Sequence, residues 1–452
     1  MVFCNFFCYN LTMNNFPSAF LERMKKLLDE SNENYLDFLS SLNKEEEKGI
    51  FVNTNKISVE NFVKIVDFYI ENIEYEKNGF YIDNVKLGRH SLHHAGMFYV
   101  QDPSAMFTVN AYKFNGNEKV LDMCASPGGK TIQIANKLTD GILVSNEIVS
   151  ARAKVLYSNV ERMGLKNVIV TNDSPENIAK AYANSFDIVL LDAPCSGEGM
   201  FRRGEEIVNE WNENLVKLCS NRQIEIFKCA DVCLKENGIL IYSTCTYSYE
   251  ENEGVVNYIL SNYNYELLDI KAPSYFSRGI GMKQAVRLYP HKVKGEGQFV
   301  AVLRKKDKNE SYPNKTLKLK NDINADNFIK NNMNIALNNK NYKNFSYYIK
   351  DEDMIKQGVN YLSLGVRTGE TKGKTFVPNH YLFSAFGGLF KRVVNLKLDD
   401  ERVEKYLKGE EIEVKIGEGY GVVLIENCAL GGYKMSNNKF KNHYPKGLRN
   451  FK

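Results

Sequence analysis

The middle of the chain, from residue 119 to residue 242, alternates short apolar runs with longer amphipathic stretches. The apolar runs occupy residues 120–123, 142–145, 168–171, 186–191 and 239–242. Amphipathic stretches such as 151–163 and 219–234 separate them. Nearly continuous apolar runs between helices are typical of parallel strands that helices cover on both faces. The pattern predicts an α/β domain with a doubly wound, mostly parallel sheet, completed by two strands near residues 265–270 and 298–304.

The segments on either side of this domain have different patterns. Apolar residues at helical spacing near the start of 16–100 predict helices, followed by a mixed segment with a strand over 50–55. Residues 306–345 contain 12 Asn and 8 Lys, a composition typical of a solvated connection that runs into a small helical segment. The remainder alternates Gly-punctuated short strands with short helices. The predicted regions are an N-terminal α+β extension, a central domain, a connection and a C-terminal α+β region, over residues 13–100, 101–305, 306–345 and 346–452.

Composition restricts the class of protein. The chain has 452 residues, of which 43% are hydrophobic and 25% are charged, which is ordinary for a globular protein of two or three domains. No apolar run approaches the length of about 18 residues that a transmembrane helix needs, so we expect no membrane partner. The nine cysteines include no C-x-x-C pair, which argues against a disulfide framework and a zinc ribbon. We therefore expect reduced thiols, a cytoplasmic protein and no metal.

Charge is distributed unevenly along the chain. The net charge is +4, but residues 305–452 contain 27 Lys and Arg against 17 Asp and Glu. The last 20 residues contain six cations and no acid, with aromatic residues between them. Cations with interleaved aromatic rings are typical of RNA-binding surfaces, whereas a solvated tail whose aromatics fill a core is the alternative. The candidate RNA contacts are Lys439, Lys441, Lys446 and Arg449.

A glycine-containing loop follows the first strand of the central domain. The segment DMCASPGGK, from Asp122 to Lys130, lies where a strand turns into a helix. It lacks both the dinucleotide fingerprint and the phosphate-loop pattern, so it favours a carboxylate or ribose near the helix start. A glycine-rich turn with no ligand is the alternative. The candidate contacts in the loop are Cys124, Ala125, Ser126, Pro127, Gly128, Gly129 and Lys130.

Acidic residues end the next two strands. Glu147 follows the second strand, where its carboxylate can accept both hydroxyls of a ribose. Asp173 follows the third strand, where it can bind the amino group of adenine. Each acid alone is more often a turn residue or a helix cap. Together with the loop, three contacts at three successive strand ends predict a nucleoside site.

Two cysteines follow the fourth and fifth strands. Cys195 lies in DAPCSGEG, which begins at Asp192, and Cys245 lies in STCTYS. The carboxyl ends of neighbouring parallel strands face one crevice, so we expect the two thiols to lie close together. A single cysteine is usually a small core residue. Both of these cysteines instead lie on polar, Ser/Thr-flanked loops at the edge of the sheet where ligands bind.

These segments resemble the NOL1/NOP2/Sun family of RNA cytosine-5 methyltransferases, of RsmB/RsmF type. The resemblance also includes YPHK at Tyr289 and GEG at Gly295, and it runs from about residue 16 to residue 304. ALGGYK at Ala429 and KNHYPKGLR at Lys441 are similar to the C-terminal part of the RsmF-like subset, which methylates small-subunit ribosomal RNA. The resemblance implies a seven-stranded, Rossmann-like class I methyltransferase sheet, an N-terminal RNA-binding extension and a PUA-like C-terminal region.

The resemblance also implies a reaction and its residues. The family methylates C5 of cytosine in RNA with S-adenosylmethionine as cofactor. Its nucleophile corresponds to Cys245, its second thiol, which helps release the product, to Cys195, and its base-binding acid to Asp192, which also lies near the cofactor. Addition of a thiolate to C6 makes C5 nucleophilic, which explains why a cysteine is needed.

Three alternatives remain open from the sequence. DNA cytosine methyltransferases use the Pro-Cys thiol as nucleophile, which would assign that role to Cys195. The substrate could be transfer RNA, because relatives modify it as well. A protein of another class, a catalytically inactive RNA-binding assembly factor, would need a damaged site, whereas both cysteines and Asp192 are intact.

Overall fold

The computed structural model describes residues 16–83 and 85–449, and this part of the chain contains four β-sheets. Residues 13–15 of the expected N-terminal extension lie outside the described residues. Among the helices of the described residues, none is long and apolar enough to cross a membrane.

The N-terminal part combines helices with a small antiparallel sheet. The helices are α1 (Ser18–Glu30), α2 (Tyr35–Leu42), α3 (Val59–Ile65) and α4 (Ser91–His94). The strands are β1 (Lys48–Val52), β2 (Ile70–Ile73), β3 (Glu76–Ile82) and β4 (Phe98–Gln101), in the order β2-β3-β1-β4. Helix α1 buries Phe20, Met24 and Leu28, one face of a helix at the expected spacing. Helices followed by a mixed segment are observed as predicted, but the strand expected over 50–55 lies at Lys48–Val52 and ends where a turn begins at Asn53.

The central domain is built on a large mixed sheet. Its strands are β5 (Lys119–Asp122), β6 (Ile142–Asn146), β7 (Val168–Thr171), β8 (Phe186–Asp192), β9 (Leu234–Thr244), β10 (Tyr265–Leu268), β11 (Ser277–Gly279), β12 (Met282–Leu288) and β13 (Gln298–Lys305). Its helices are α5 (Pro103–Asn110), α6 (Gly129–Lys137), α7 (Ser150–Met163), α8 (Pro175–Ala181), α9 (Glu205–Glu210), α10 (Glu213–Cys233) and α11 (Glu253–Asn262).

The order of the strands confirms the predicted Rossmann-like sheet. Strands β7, β6, β5, β8 and β9 lie side by side and are parallel, and β13 continues the sheet antiparallel to β9. With β10, which pairs with β13, these are the seven strands that the family resemblance implied. The observed sheet has ten strands because β11, β12 and a strand from the C-terminal third extend it. The apolar runs are buried on both faces, as their composition predicted.

The C-terminal third forms two smaller sheets. The first contains β14 (Lys320–Asn321), β15 (Asn339–Tyr342), β16 (Phe345–Tyr348), β18 (Val366–Lys372) and β19 (Thr375–Pro378), while β17 (Tyr361–Ser363) joins the central sheet beside β7. The second contains β20 (Val393–Leu396), β21 (Gly419–Ile425), β22 (Cys428–Ser436) and β23 (Lys439–Asn442). The helices are α12 (Ile323–Asn332), α13 (His380–Phe386) and α14 (Glu401–Lys408).

The Asn/Lys-rich segment 306–345 is more ordered than a solvated connection. It contains β14, α12 and β15. Its polar residues make specific bonds: Asp322 caps α12 by accepting the N–H groups of Asn324 and Ala325, and the fully buried Asn339 accepts a hydrogen bond from Thr368 Oγ1. Asparagine and aspartate here act as caps and buried hydrogen-bond partners, which composition alone does not distinguish from solvated residues.

Candidate active site

A cavity of about 1000 Å³ opens at the carboxyl edge of the central sheet. The loops after β5, β6, β8 and β9 meet there, the place where open α/β sheets bind ligands. The sequence-predicted residues that line it are Cys124, Ala125, Ser126, Pro127, Gly129, Lys130, Glu147, Asp192, Cys195 and Cys245. The structure therefore brings the glycine-containing loop, one strand-end acid and both cysteines to one cavity. Gly128 and Asp173 do not line it.

The loop before α6 has glycine at two positions where a side chain would be strained or crowded. Gly128 precedes the helix with φ of 114°, a left-handed conformation that residues with a Cβ rarely adopt. A Cβ on Gly129 would lie 3.1 Å from Cδ of Gln101 and 3.2 Å from the ring of Tyr99, so the backbone passes close beneath those side chains. The first N–H groups of α6 are without helical partners by geometry and are available to a ligand in the cavity.

Asp122 provides an unused acceptor beneath the loop. Its Oδ2 accepts a hydrogen bond from Thr131 Oγ1 at 2.7 Å, while its buried Oδ1 has no hydrogen-bond partner among the described residues. Burial raises the pKa of Asp122 to about 7, although the bond from Thr131 opposes this shift. A buried polar atom without a partner at a ligand cavity is the kind of group that a bound molecule satisfies.

Glu147 lines the same cavity. Its Oε1 accepts the N–H of Val149 at 2.8 Å, and Oε2 lies 3.4 Å from Nη2 of the more exposed Arg152. The carboxylate retains acceptor capacity on the side that lines the cavity, since a carboxylate can accept about four hydrogen bonds. The loop, the orphan oxygen of Asp122 and this carboxylate together fit a nucleoside cofactor.

Asp173 is engaged elsewhere. Its Oδ1 accepts hydrogen bonds from the N–H of Ser174 and from Asn177 Nδ2, and its Oδ2 accepts the N–H of Asn360. The carboxylate thus ties the start of α8 to the loop before β17. The structure does not bring Asp173 to the cavity with the other candidates, and its carboxylate binds the turn before α8, whose N-cap is Ser174.

Asp192 and Lys130 form an ion pair inside the cavity. Lys130 Nζ donates to Asp192 Oδ2 at 2.7 Å, and Ser243 Oγ donates to Oδ1 at 2.6 Å. Burial disfavours the Lys130 ammonium, but attraction by Asp192 and the hydrogen bond outweigh it and raise the pKa of Lys130. Lys130, predicted as part of the cofactor loop, therefore reaches across to the acid that ends β8. Both oxygens of Asp192 are fixed in direction by these bonds.

The two cysteines lie in contact. Strands β8 and β9 are neighbours with Asp192 opposite Ser243, so the loops that follow leave the sheet side by side. Cys195 Sγ lies 3.3 Å from Cys245 Sγ, as expected from their positions after adjacent strands. The hydrogen bond to Cys245, together with burial, raises the pKa of the Cys195 thiol well above its ordinary value. Either sulfur can be the donor in this contact.

A buried chain of hydrogen bonds holds the cysteine loops together. The two residues that follow the cysteines are hydrogen-bonded to each other: Ser196 Oγ lies 2.9 Å from Thr246 Oγ1. Glu251 accepts both the N–H and the hydroxyl of Ser196. Glu198 accepts from Thr246 Oγ1 and from Ser248 Oγ. All five side chains are buried, so each loop is fixed relative to the other by bonds that water does not weaken.

Two buried glutamates are among the site residues that sequence reasoning missed. Burial raises the pKa of Glu251 to about 7, against the hydrogen bonds from Ser196. Glu198 also accepts Trp211 Nε1 and the N–H of Tyr247. A signal was present, because an acid follows each cysteine within a few residues, at Glu198 and at Glu251. Only the structure shows that these acids are buried beneath the loops and not exposed.

The C-terminal cations and aromatics separate onto two faces. Strand β23 alternates, so that Lys439 and Lys441 are exposed while Phe440 is buried. Lys446 is exposed as well, and the half-buried Arg449 donates to the carbonyl of Tyr444. The aromatics at 433, 440 and 444 are at most 4% exposed, so they fill the core of this region and are not available for base stacking. Phe451 and Lys452 lie outside the described residues.

Three family models match successive parts of the chain. The model described as 16S rRNA methyltransferase RsmB/F matches residues 109–304. The model for the N-terminal domain of 16S rRNA methyltransferase RsmF matches residues 16–103. The model for the methyltransferase RsmF PUA domain matches residues 393–450. The matched segments coincide with the N-terminal, central and last of the structural regions described above.

Individual proteins are similar along the same segments. Ribosomal RNA small subunit methyltransferase F of Vibrio parahaemolyticus is 29% identical over 473 residues, covering 96% of this chain and 97% of the relative. The protein of the same name from Serratia proteamaculans is 36% identical over 306 residues, covering 64% of this chain and 63% of its own length. The solved structure of a methyltransferase homolog from Pyrococcus horikoshii superposes with a TM-score of 0.54 at 29% identity, covering 64% of this chain and 99% of that one.

Proposed function

Because the chain belongs to the RsmB/F family of ribosomal RNA methyltransferases, whose methyl donor is S-adenosylmethionine, we propose that it methylates C5 of a cytosine in small-subunit ribosomal RNA through a covalent cysteine adduct. The single observation that carries this proposal is the pair of thiols in contact, 3.3 Å apart, inside the cavity that the cofactor loop also lines. Methyl transfer to oxygen or nitrogen needs no such pair, whereas C5 of cytosine needs covalent activation.

The thiol pair supports a division of roles. Cys195 keeps its proton, because its hydrogen bond to Cys245 and its burial raise its pKa. Cys245 is then the sulfur that accepts that hydrogen bond and attacks C6, forming the Sγ–C6 bond and turning C5 into an enamine carbon. S-adenosylmethionine supplies the methyl group that C5 takes up. Loss of the C5 proton and cleavage of the Sγ–C6 bond then regenerate the aromatic base, with Cys195 assisting this release.

Asp192 is the group that would hold the base. With its two oxygens oriented by Lys130 and Ser243, it can bind the N3 and N4 side of cytosine while the ring lies over Cys245. Proton sharing with N3 would favour addition at C6, since the added electron pair is delocalised onto that side of the ring. Lys130 acts in this proposal by holding the Asp192 side chain in place.

The cofactor would lie on the other side of the cavity. The loop from Cys124 to Gly129 and the start of α6 would approach its amino-acid portion, and Glu147 would accept the ribose hydroxyls. Asp122 Oδ1, which lacks a partner among the described residues, gives this side a further acceptor. The adenine contact proposed for Asp173 has weaker support, because its carboxyl oxygens already accept three hydrogen bonds.

The relatives' names and the C-terminal region support ribosomal RNA as the substrate. The similar bacterial proteins carry the name ribosomal RNA small subunit methyltransferase F, and the last region matches a PUA-domain model. The exposed Lys439, Lys441 and Lys446 lie in that region and can contact phosphates, whereas Arg449 also supports the chain around Tyr444. A ribosomal substrate also implies the cytoplasm.

Methyl transfer to defined RNAs tests the proposal. Small ribosomal subunits, their naked RNA and transfer RNA are prepared from a strain that lacks the gene and incubated with the protein and methyl-labelled S-adenosylmethionine. Label in 5-methylcytidine of the small-subunit RNA is the expected result. Label confined to transfer RNA would contradict the substrate, and label in any other nucleoside would contradict the cytosine C5 chemistry.

A further inference from the structure

The contact between the two cavity thiols has a consequence besides catalysis. We propose that Cys195 and Cys245 form a reversible disulfide when the protein meets a hydroperoxide, and that this disulfide switches the enzyme off. The two sulfurs lie 3.3 Å apart. A disulfide bond is about 2.05 Å long, so the sulfurs need to approach by roughly 1.3 Å. Both thiols line a cavity whose size admits a small peroxide.

The loops that carry the thiols are held in register independently of the sulfurs. The Ser196–Thr246 bond and the two glutamates beneath it connect the loops one residue beyond each cysteine. Disulfide formation therefore requires rotation of two side chains and a small shift of two loops that already lie together, and not a rearrangement of the sheet. This situation favours intramolecular closure over reaction with an external thiol.

The chemistry balances with one hydroperoxide and two thiols. A Cys245 thiolate attacks the peroxide oxygen, giving a sulfenic acid and, for hydrogen peroxide, a hydroxide that takes up a proton to become water. The sulfur of Cys195 then attacks the sulfenic sulfur, its thiol proton leaves with the sulfenic oxygen, and a second water is released. The two cysteines together lose two electrons, which the peroxide gains. A dithiol such as dithiothreitol reverses the step by exchange.

The remaining cysteines of the described residues are poorer candidates. Cys124 lines the same cavity, but burial raises the pKa of its thiol far above the ordinary value. Burial raises the pKa of Cys219 and Cys229 to about 11. The pKa of Cys195 is raised as well, so these thiols differ from the pair in lacking a second cysteine as hydrogen-bond partner among the described residues, and not in pKa. Within residues 16–83 and 85–449, Cys195 and Cys245 are the cysteines whose sulfurs are in contact.

The disulfide would stop catalysis without preventing S-adenosylmethionine from binding. It consumes both thiols that the reaction needs, whichever of them is the nucleophile, and it leaves Glu147 and the loop before α6 unchanged. Disulfide formation also protects Cys245 from the irreversible sulfinic and sulfonic states. The inference stands on the thiol geometry and does not require that the RNA substrate be identified.

Peroxide titration of the purified full-length protein tests the inference. Cys4 and Cys8, which lie outside the described residues, are replaced by Ser so that they do not contribute a competing disulfide. After hydrogen peroxide treatment, we expect a cross-linked peptide pair containing Cys195 and Cys245, lighter by two hydrogen atoms, and its disappearance with dithiothreitol. S-adenosylmethionine affinity should stay within about twofold, while methyl transfer is lost and then restored by the dithiol.

Two variants make the outcome specific. Cys195→Ser should yield no cross-link and should instead accumulate oxygen on the Cys245 peptide that dithiothreitol does not fully remove. Cys124→Ser, a change in the same cavity, should give the wild-type yield of cross-link. Oxygen on Cys245 of the Cys195-containing protein without any cross-link would overturn the inference, as would full methyl transfer by the cross-linked protein. Peptide mapping uses no RNA, so its result is independent of the proposed function.

Discussion

The cysteine loops and the C-terminal cations differ in how firmly neighbouring groups fix their side chains in place. At the cysteine loops, Ser196, Thr246, Glu198 and Glu251 are at most 4% exposed and are bonded to one another or to the loop backbone. On β23 and the turn after it, Lys439, Lys441 and Lys446 are exposed above a buried aromatic core. Groups that buried hydrogen bonds fix in place depend on their exact positions, so replacing one of them has a large effect. Exposed charges contribute through their combined charge, which salt screens, so replacing one of them has a small effect.

Loss of Cys245 is the largest expected effect. Cys245→Ala should abolish methyl transfer, because the proposal assigns attack on C6 to Cys245 and only product release to Cys195. S-adenosylmethionine affinity should stay unchanged because Glu147 and the loop are intact. Isothermal calorimetry and a methyl-transfer assay measure the two quantities. Substantial turnover by this variant would show that Cys245 is not the nucleophile.

Loss of Cys195 should stop the reaction at a later point. With Cys195→Ala, attack by Cys245 remains possible, but release of the methylated base is no longer assisted, so a covalent protein–RNA complex should accumulate. A denaturing gel measures this complex, and Cys195→Ala/Cys245→Ala is the matched control that should show none. A folded Cys195→Ala protein that binds RNA and turns over normally would contradict the assignment.

Glu251 should make stability depend on pH. Its folded pKa is raised to about 7 from 4.5, so its contribution is present below pH 4.5 and is lost as the pH rises through 7. The stability of the wild type relative to Glu251→Gln should therefore fall by up to about 3 kcal/mol between these pH values. Urea unfolding at several pH values measures it, with the exposed Glu236→Gln as control. If the difference in stability between the wild type and Glu251→Gln did not change with pH, burial would not raise the pKa of Glu251 as described.

Glu147, a single buried acid, extends the comparison to the side of the cavity proposed for the cofactor. Loss of a charge-assisted acceptor costs about 1.5–3 kcal/mol, so Glu147→Ala should weaken S-adenosylmethionine binding by roughly ten- to a hundredfold. Glu147→Gln keeps an oxygen for the Val149 N–H, which separates ribose binding from the turn that this bond supports. Unchanged affinity in calorimetry of both variants would refute the contact.

The smallest effects are expected from the C-terminal cations. Replacing Lys439, Lys441 and Lys446 together with Ala should weaken RNA binding and flatten its salt dependence by up to about 0.7–0.9 in log–log slope per lost phosphate contact. Cofactor affinity should not change. The control replaces three exposed lysines elsewhere, Lys217, Lys283 and Lys374. If both triple variants changed the salt dependence of RNA binding equally, the C-terminal lysines would contribute no more to binding than other exposed lysines, which would contradict the prediction.

The central fold was predictable because buried parallel strands require continuous apolar sequence. The strand ends then located Asp192, Glu147 and both cysteines, since chain order and parallel pairing together determine which loops meet. The edge of the sheet was not predictable, because β17 is a three-residue strand from the C-terminal third that pairs with β7. Nothing local in Tyr361–Ser363 distinguishes a sheet edge from a short strand of the smaller sheets.

Positions whose role the sequence leaves ambiguous have a common cause, which is that polar and aromatic residues serve more than one role. Asp173 has the residue type and location of a nucleoside contact, and its carboxylate also binds the turn before α8. Tyr433 and Tyr444 lie among cations but are buried, and Asn339 lies in an Asn-rich segment but is fully enclosed. Burial depends on tertiary neighbours, which the local sequence does not show.

The central claim is that Cys245 forms the bond to the target base while Cys195 remains a thiol. Small-subunit RNA transcribed with 5-fluorocytidine in place of cytidine tests it most directly, because fluorine at C5 cannot leave as a proton does and the adduct persists. The protein is incubated with this RNA and S-adenosylmethionine, digested, and mapped by tandem mass spectrometry. A methylated, fluorinated base attached to the Cys245 peptide is the result we predict. Attachment to Cys195, or no adduct under conditions in which unmodified RNA is methylated, would contradict the account.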